Sequence, residues 1–568
     1  MNRGLSRIIF AVVSLLFAAF FLAPLGIVIR GGFSDSGHFT LRYLIGVFQN
    51  PIYAEGLFNS FRIALGTTAL VILIALPLAW LTNRYDFPGK KWIGSLILVP
   101  MVLPPFVGAI GFQQVLGPYG GLNTLLGIGP VDWLGQMQYG GVIVLQALGL
   151  YPIMYLNASA ALANVDPAME EAAANLGCKG FTKFRRITLP LMMPGLFAGG
   201  TLVFIWSFTE LGTPLILNYT RCASVQVFDA LKEIGANPFP YALVFVMLVS
   251  SALLYTAGKL TLGRQAHAMQ GKATVATVTR PVRGWRGFLV ALPFLAVIFV
   301  AMTPHLGVLA TSFATPGSWY QSILPQHFTL GNYAEALGHE MTIGSIRNSL
   351  FYSALAVAFN AALGIAIAFV VVRSDIRGRG VLDALAMLPL AVPGLVLAFG
   401  YLAISAHASN MDWVKNSDFW KNLLDVRANP TLFLVIAYSM RRLPYMVRSA
   451  VAGLQQTSVA LEEAAANLGA GFLTRLRRIT VPLITANLIA GALLAFSFSM
   501  LEVSDSIMLA QRTDYYPITK AIYELFQLIG LGQYLASALG VWAMAFLAVT
   551  IVGASLLLGK KLGALFRI

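Results

Sequence analysis

Charged residues are scarce in this sequence. Only 11% of its 568 residues are Asp, Glu, Lys or Arg, whereas 58% are hydrophobic. A water-soluble protein of this size needs more charge to cover its surface. The apolar residues also form long runs, such as residues 10–29 and 290–309. A helix of about 20 apolar residues spans a bilayer with its backbone groups bonded internally. The composition therefore excludes a soluble globular protein and predicts an all-α polytopic membrane protein.

Cysteine and histidine are scarce too, with two and six residues respectively. Cys178 and Cys222 fall in loops predicted on opposite sides of the membrane, so we expect no disulfide between them. The histidines are scattered, and no Cys/His cluster has the spacing of metal ligands. We therefore expect this chain to hold neither a metal nor a cofactor of its own.

A nucleotide-binding loop is missing. The Gly-Lys pairs at 258–259, 271–272 and 559–560 lack both the upstream glycine and the following Ser or Thr of a Walker A motif. The sequence also shows no convergent set of nucleophile, base or metal ligands. We therefore expect the chain to be neither an ATPase nor a membrane-embedded enzyme.

The net charge of +15 is concentrated in short loops that would share one side of the membrane. These basic positions are Arg84, Lys90, Lys91, Lys179, Lys183, Arg185, Arg186, Arg373, Arg377, Arg379, Arg475, Arg477, Arg478, the segment 259–286, Lys560, Lys561 and Arg567. This is the positive-inside pattern rather than a nucleic-acid-binding patch. It predicts that these loops and both termini are cytoplasmic.

The N-terminus has two alternatives, a cleaved signal peptide or a retained first helix. Arg3 and Arg7 suit both, but the apolar stretch is long, and Pro24 and Gly26 do not form a small-residue cleavage site. We predict a retained helix.

Twelve membrane helices are predicted, six in each half of the chain. They lie near residues 8–30, 60–82, 92–116, 139–163, 190–215, 240–262, 287–312, 346–372, 381–405, 430–452, 482–508 and 531–558. The predicted domains are residues 1–262, a basic cytoplasmic linker at 263–286, and residues 287–568.

The two halves are a direct repeat. Asn59-Ser60, Pro100 and Pro104 recur 289 residues later as Asn348-Ser349, Pro389 and Pro393. The octapeptide EEAAANLG at 170–177 recurs 292 residues later at 462–469, so three residues are inserted after the third helix of the second half. Because each half has an even number of helices, the copies should have parallel topology, unlike inverted-repeat secondary transporters. The prolines are expected to kink the third helices.

Each octapeptide lies in a block that encodes a short cytoplasmic helix, at about 166–177 and 458–469. Asp166 is a good N-cap and Pro167 suits the first helical position. Ser458 is the corresponding cap in the second half. Gly177 and Gly469 each supply a left-handed stop.

The two blocks resemble the EAA signature of ABC importer permeases, E-A-A-x3-G-x9-I-x-L-P. The matching residues are Glu171, Ala172, Ala173, Gly177, Ile187, Leu189 and Pro190 in the first copy, and Glu463, Ala464, Ala465, Gly469, Ile479 and Pro482 in the second, where Val481 replaces the leucine. In that family the segment is a coupling helix that docks in a cleft of an ATPase subunit.

The resemblance covers essentially the whole chain and implies partners that the chain lacks. These are a cytoplasmic ATPase dimer that binds ATP and Mg, and a periplasmic solute-binding protein. It also implies a bacterial inner-membrane location, surrounded by lipid, and transport by alternating access. The fused architecture is similar to that of ferric-iron permeases, so ferric iron is the expected cargo, with a phosphonate or phosphorylated solute as the alternative. An ion-gradient-driven secondary transporter is the alternative from another class.

Five charged residues are predicted inside the membrane, where each costs about 2.5–3.5 kcal/mol at a helix centre on insertion scales. They are Arg441, Arg442, Glu210, Glu502 and Asp505. The arginines have no counterpart in the first half, where Gly149 and Leu150 stand. Two interpretations remain open. In the first, the charges line a translocation cavity and contact an anion, or a metal with its accompanying anion. In the second, the arginines pair with Glu502 or Asp505 and hold helices together.

Overall fold

The computed structural model describes residues 3–35, 37–102, 105–233, 237–266 and 279–558. Pro104, the Gly-Lys pairs at 271–272 and 559–560, Lys561, Arg567 and the middle of the predicted linker lie outside these ranges. Each of the twelve segments predicted to cross the membrane contains a long helix, and the third and fifth segments of each half are interrupted. We number the long helices α1–α12.

The first half contains α1–α6. They are Gly4–Gly32, Pro51–Arg84, the composite Lys90–Leu96, Val99–Val102 and Pro105–Leu116, then Tyr139–Ala163, Gly180–Phe208 and Phe239–Ala266. The second half contains α7–α12. They are Gly284–Phe313, Glu340–Arg373, the composite Arg379–Ala391 and Gly394–Ala408, then Thr431–Gln456, Phe472–Met500 and Gly532–Leu558.

Short helices connect these elements. They are Arg42–Gln49, Gly121–Leu126, Trp133–Met137, Pro167–Asn175, Gly212–Ile216, Ala223–Asp229, Gly331–Gly338, Asp412–Lys415, Asp418–Leu424, Val459–Asn467, Ser504–Leu509 and Ile518–Phe526.

Within the described residues, nine helices are long and apolar enough to span a bilayer, and eleven if each bent composite counts as one span. The twelfth predicted span is α10. It has 26 residues but carries Arg441, Arg442 and Arg448, which lower its hydropathy. The first two arginines lie inside the protein rather than facing lipid, which is how a charged helix is tolerated at membrane depth.

The predicted kinks in the third helices are present. The two parts of α9 meet at 97°, with Pro393 immediately before Gly394. In α3 the parts that flank residues 103–104 lie at 92° to each other. Proline causes such breaks because it lacks an N–H and clashes with the preceding turn.

The fifth helices are shorter than predicted. The expected spans 190–215 and 482–508 were wrong at their C-terminal ends, because α5 stops at Phe208 and α11 at Met500. In each half the chain unwinds for a few residues and then forms a short helix, Gly212–Ile216 or Ser504–Leu509. Apolar residues resume after both breaks, at 214–217 and 507–510, so the apolar region appeared longer than the helix.

The repeated Asn-Ser pair serves the same purpose in both halves. The Ser60 hydroxyl accepts a hydrogen bond from Ala223 N at 2.9 Å, where a short helix begins. The Ser349 hydroxyl accepts one from Ile518 N at 2.7 Å, again at a helix start. Each serine therefore satisfies a helix N-terminus that would otherwise be buried without a partner.

The first helix of each half packs against the third helix of the other half. In one contact α7 packs on α3, and a Cβ added at Gly111 would lie 2.1 Å from the Pro304 carbonyl oxygen. In the equivalent contact α1 packs on α9, where Gly400 lies against Pro24. Gly400 follows Gly111 by 289 residues, so the same close approach of backbones is built twice. This double contact holds the two halves around a common centre.

The described end of the linker lies on the loop that follows α2. Strand Arg280–Pro281 pairs in parallel with Tyr85–Asp86, and Val282 N donates to the Asp86 carbonyl at 2.8 Å. Arg283 adds an ion pair to the Asp86 carboxylate at 3.5 Å. A second small sheet pairs Ser34–Asp35 with His38–Phe39 in an antiparallel hairpin after α1.

Candidate functional site

A cavity of about 240 Å³ lies between the two halves. Its wall is formed by the bends of the third helices, the middle of the fourth helices and the ends of the fifth helices. Representative lining residues are Pro105, Pro393, Gln146, Arg441, Trp206 and Phe498. Corresponding parts of the repeat therefore face each other across one central space.

Four of the five predicted charges line this cavity, namely Glu210, Arg441, Arg442 and Glu502. Asp505 lies behind the wall and has no exposed side-chain surface. Among the described residues, no group of three His, Cys, Asp or Glu could hold a metal ion. The site therefore contains charges without the arrangement of a metal centre.

The second half pairs its charges. Arg441 Nη1 lies 3.1 Å from Asp505 Oδ2 and also bonds Glu502 Oε1. Arg442 Nη2 bonds Glu502 Oε2, and its guanidinium lies 5.3 Å from the centre of the Phe498 ring. The two interpretations of these residues are thus compatible, since the same side chains line the cavity and join α10 to the break after α11.

Glu210 occupies the break after α5 and has a different role. Its carboxylate accepts hydrogen bonds from Gly212 N at 3.1 Å and Thr213 N at 2.8 Å. It therefore caps the short helix Gly212–Ile216 at the positive end of its dipole. Within the described part of the chain, no Lys, Arg or His forms an ion pair with it.

The predicted EAA helices are present in both halves. Pro167–Asn175 is capped by Asp166, whose carboxylate accepts from Ala168 N at 2.9 Å. Val459–Asn467 is capped by Ser458, whose hydroxyl accepts from Ala460 N at 3.3 Å. Both predicted caps are confirmed. We call these two elements the first and second EAA helices.

The predicted glycine stops are also confirmed. Gly177 has φ of 83° and Gly469 has φ of 84°, a region that other residues rarely adopt. Glu171, Ala172, Glu463 and Ala464 are exposed, whereas Ala173 is buried and Ala465 partly buried. Sequence reasoning missed the exposed leucines next to the stops, Leu176 at 88% and Leu468 at 89% exposure. Both EAA helices therefore present acidic and apolar side chains outward.

A family model described as "Binding-protein-dependent transport system inner membrane component" matches the chain twice, over residues 71–264 and 360–560. Together these matches cover more than half of the chain, and each contains one EAA helix and one side of the cavity. The chain belongs to this family of permeases.

Two relatives of the permease are similar over most of its length. It is 26% identical over 490 residues to the ferric transport system permease protein FbpB of Actinobacillus pleuropneumoniae, covering 82% of this chain and 65% of that protein. It is 27% identical over 487 residues to a protein named as ferric transport system permease FbpB 1 of Haemophilus influenzae, covering 83% and 71%. The chain thus spans about two thirds of the length of these relatives.

Among solved structures, the crystal structure of a bacterial ABC transporter involved in the import of the acidic polysaccharide alginate is similar to part of this chain. The match has 16% identity and a TM-score of 0.37, and covers 48% of this chain and 98% of the other.

Sequence reasoning also missed an ion pair beside each EAA helix of the permease. Arg84 bonds Glu170, and Arg373 Nε lies 3.2 Å from Glu462 Oε1. The signal was present in the sequence, because both partners recur in the repeat. It was not recognised because the partners are 86 and 89 residues apart.

Proposed function

We propose that this permease moves ferric iron into the bacterial cytoplasm through the central cavity, driven by a separate ATPase. A periplasmic binding protein would deliver the iron, and a cytoplasmic ATPase dimer would bind the ATP and Mg. The exposed EAA helices carry this proposal, because each half presents one. Two equivalent docking elements suit a dimeric partner with one subunit for each half.

The docking chemistry follows from the residues that each EAA helix exposes. Glu171 and Glu463 can pair with basic groups of the ATPase, and the adjacent small alanines permit close approach of its backbone. Leu176 and Leu468 supply apolar contact at the helix end. Burial of such apolar side chains against the partner would stabilise the complex, whereas the carboxylates would set its orientation.

The charge balance of the cavity favours a cationic cargo. Arg441 and Arg442 are both engaged by Glu502 and Asp505, so neither cation is left to attract an anion. Glu210 adds a carboxylate that no described basic residue pairs with. Glu210 is therefore the charged group of the cavity wall that is left to attract a metal cation. The names of the two relatives support iron as that metal.

A phosphonate or phosphorylated solute is the second candidate cargo. It is favoured by the position of Arg441 and Arg442 in the cavity wall, and by Arg442 Nε, which is buried without a hydrogen-bond partner among the described residues. Guanidinium groups bind phosphate oxygens well. For such a cargo, the anion would have to displace Glu502 from the arginines.

The test is ATP hydrolysis by the permease reconstituted in lipid vesicles with its ATPase and binding protein. Ferric iron, a phosphonate and a sugar phosphate are each supplied to the binding protein. We expect ferric iron alone to stimulate hydrolysis and uptake, and the double variant Glu171→Ala with Glu463→Ala to abolish stimulation. Glu335→Ala, an exposed glutamate in the helix Gly331–Gly338, is the matched control and should behave as wild type.

The other outcomes decide between the alternatives. Stimulation by a phosphorylated solute instead would refute the iron assignment and leave the ATP-driven mechanism in place. Uptake by the permease alone under an ion gradient, without the ATPase, would refute the whole proposal.

A further inference from the structure

In the first half, the Glu170 carboxylate joins three separate elements. It bonds Arg84, the last residue of α2, and its Oε2 lies 3.8 Å from Lys183 Nζ. Its other oxygen accepts a hydrogen bond at 2.6 Å from Thr188, which lies in the turn that leads into the membrane part of α5. Glu170 itself belongs to the first EAA helix. One side chain therefore connects that helix to two membrane helices.

The second half has the counterparts Arg373, Glu462 and Thr480, with Arg475 in place of Lys183, and their bonds differ. Arg373, the last residue of α8, donates through Nε to Glu462 of the second EAA helix. Its Nη2 also donates to the Leu454 and Thr457 carbonyl oxygens at 2.9 and 3.0 Å, at the C-terminal end of α10. Thr480, the counterpart of Thr188, is buried, and its hydroxyl has no hydrogen-bond partner within the described residues.

Neighbouring glutamates in each EAA helix thus face in opposite directions. Glu171 and Glu463 are exposed, whereas the side chains of Glu170 and Glu462 are each only 13% exposed and turn toward the permease. The outer glutamate is available to a partner subunit. The inner glutamate bonds the ends of membrane helices.

We propose that Glu170 and Glu462 are positioning residues that transmit movement of the EAA helices to the membrane helices, and that they do so by different bonds in the two halves. In the first half, movement of the first EAA helix is transmitted to α2 through Arg84 and to α5 through Thr188. In the second half, movement of the second EAA helix is transmitted to α8 and α10 through Arg373. A charged hydrogen bond at a helix end suits this role, because it is stronger than a neutral one and fixes direction.

This inference rests on the proposed ATP-driven function and is tested in the same reconstituted complex. The variants are Glu170→Gln and Glu462→Gln, which keep the side-chain shape and remove the charge. The readouts are the binding of the ATPase dimer and the amount of ATP hydrolysed for each cargo taken up. Because the charged hydrogen bonds of the glutamate would no longer link the EAA helix to the membrane helices, we expect each variant to hydrolyse severalfold more ATP per cargo than wild type.

If Glu170 and Glu462 served only folding or docking, the glutamine variants would weaken binding of the ATPase dimer rather than raise the ATP-to-cargo ratio. We expect the ATPase dimer to bind both glutamine variants as it binds wild type. Asp375→Asn is the matched control, because Asp375 pairs with Arg379 at 3.5 Å but is 95% exposed. It should leave the ATP-to-cargo ratio unchanged.

The difference between the halves has its own test. Thr188→Val removes a hydroxyl that bonds Glu170, whereas Thr480→Val removes one without a partner. We expect only Thr188→Val to raise the ATP-to-cargo ratio, and equal effects would overturn the proposed asymmetry. Glutamine variants that couple as wild type, in a complex whose wild type is stimulated by cargo, would overturn the transmission role. If wild type itself neither binds the ATPase nor responds to cargo, the proposed function fails instead.

Discussion

The buried ion pair between Arg441 and Asp505 makes a quantitative prediction. Arg441→Met removes the cation that lies 3.1 Å from Asp505 Oδ2, while Arg442 still neutralises Glu502. Asp505 has no exposed side-chain surface, and its Oδ1 already has no hydrogen-bond partner in the described structure. The substitution therefore leaves a buried carboxylate without compensation.

Breaking a buried pair by removing one partner costs about 3–5 kcal/mol, because the remaining charge stays out of water. Removing both partners avoids that cost, and well-packed neutral replacements are often tolerated. The first half shows that a neutral version is compatible with the fold, since Gly149 and Thr213 stand at the equivalent positions. We therefore expect Asp505→Asn to restore about 2–4 kcal/mol to the Arg441→Met variant.

The assay is equilibrium unfolding in mixed detergent and lipid micelles, followed by the fluorescence of the nine tryptophans. Because a chain of this size need not unfold in one step, the comparison is between transition midpoints at equal slope. Arg448→Met is the matched control. Arg448 lies on the same helix but is half exposed and pairs with Asp383 at 3.3 Å, so its loss should cost under about 1 kcal/mol. The buried-charge reasoning is refuted if Arg441→Met lowers stability no more than Arg448→Met does. It is also refuted if adding Asp505→Asn to Arg441→Met lowers stability further.

Two glycine comparisons test the packing and the EAA helices by the same unfolding assay. Gly111→Ala should destabilise the protein by about 1–3 kcal/mol, because the added Cβ would lie 2.2 Å from Val308 N. Gly344→Ala is the control: it has open space around it inside α8 and should be neutral or slightly stabilising. Equal effects of the two substitutions would contradict the close helix contact. Gly469→Ala should lower the free energy of unfolding by about 1–2 kcal/mol and weaken ATPase binding, because the φ of this residue is 84°. Gly471→Ala is the control: Gly471 also has open space around it but a φ of −64°, so its substitution should change neither stability nor binding. A tolerated alanine at Gly469 would show that the left-handed stop is dispensable.

The sequence was sufficient to predict the features that depend on local chemistry. Long apolar runs located eleven of the twelve helices, counting each bent composite as one, because a helix in lipid satisfies its own backbone. Asp166, Ser458, Gly177 and Gly469 predicted the ends of the EAA helices, because caps and left-handed stops depend on a few adjacent residues. The internal repeat predicted that the two halves form corresponding helices in parallel topology.

The breaks after α5 and α11 were not predictable from the length of the apolar runs. A helix can continue through such residues, and it stops only if another group satisfies the freed backbone. Glu210 supplies that group in the first half, by accepting from Gly212 N and Thr213 N. A glutamate shortly before a glycine was a weak local signal for this cap.

Only the tertiary structure decided which charges meet. Arg441 and Asp505 are 64 residues apart, and Arg373 and Glu462 are 89 apart. Their pairing depends on how α8, α10 and α11 pack, and a linear pattern does not contain that geometry. Arg373 and Glu462 have the counterparts Arg84 and Glu170 in the first half, yet the two pairs make different further hydrogen bonds. The sequence by itself therefore determined which elements form, and the packing determined which of their side chains act together.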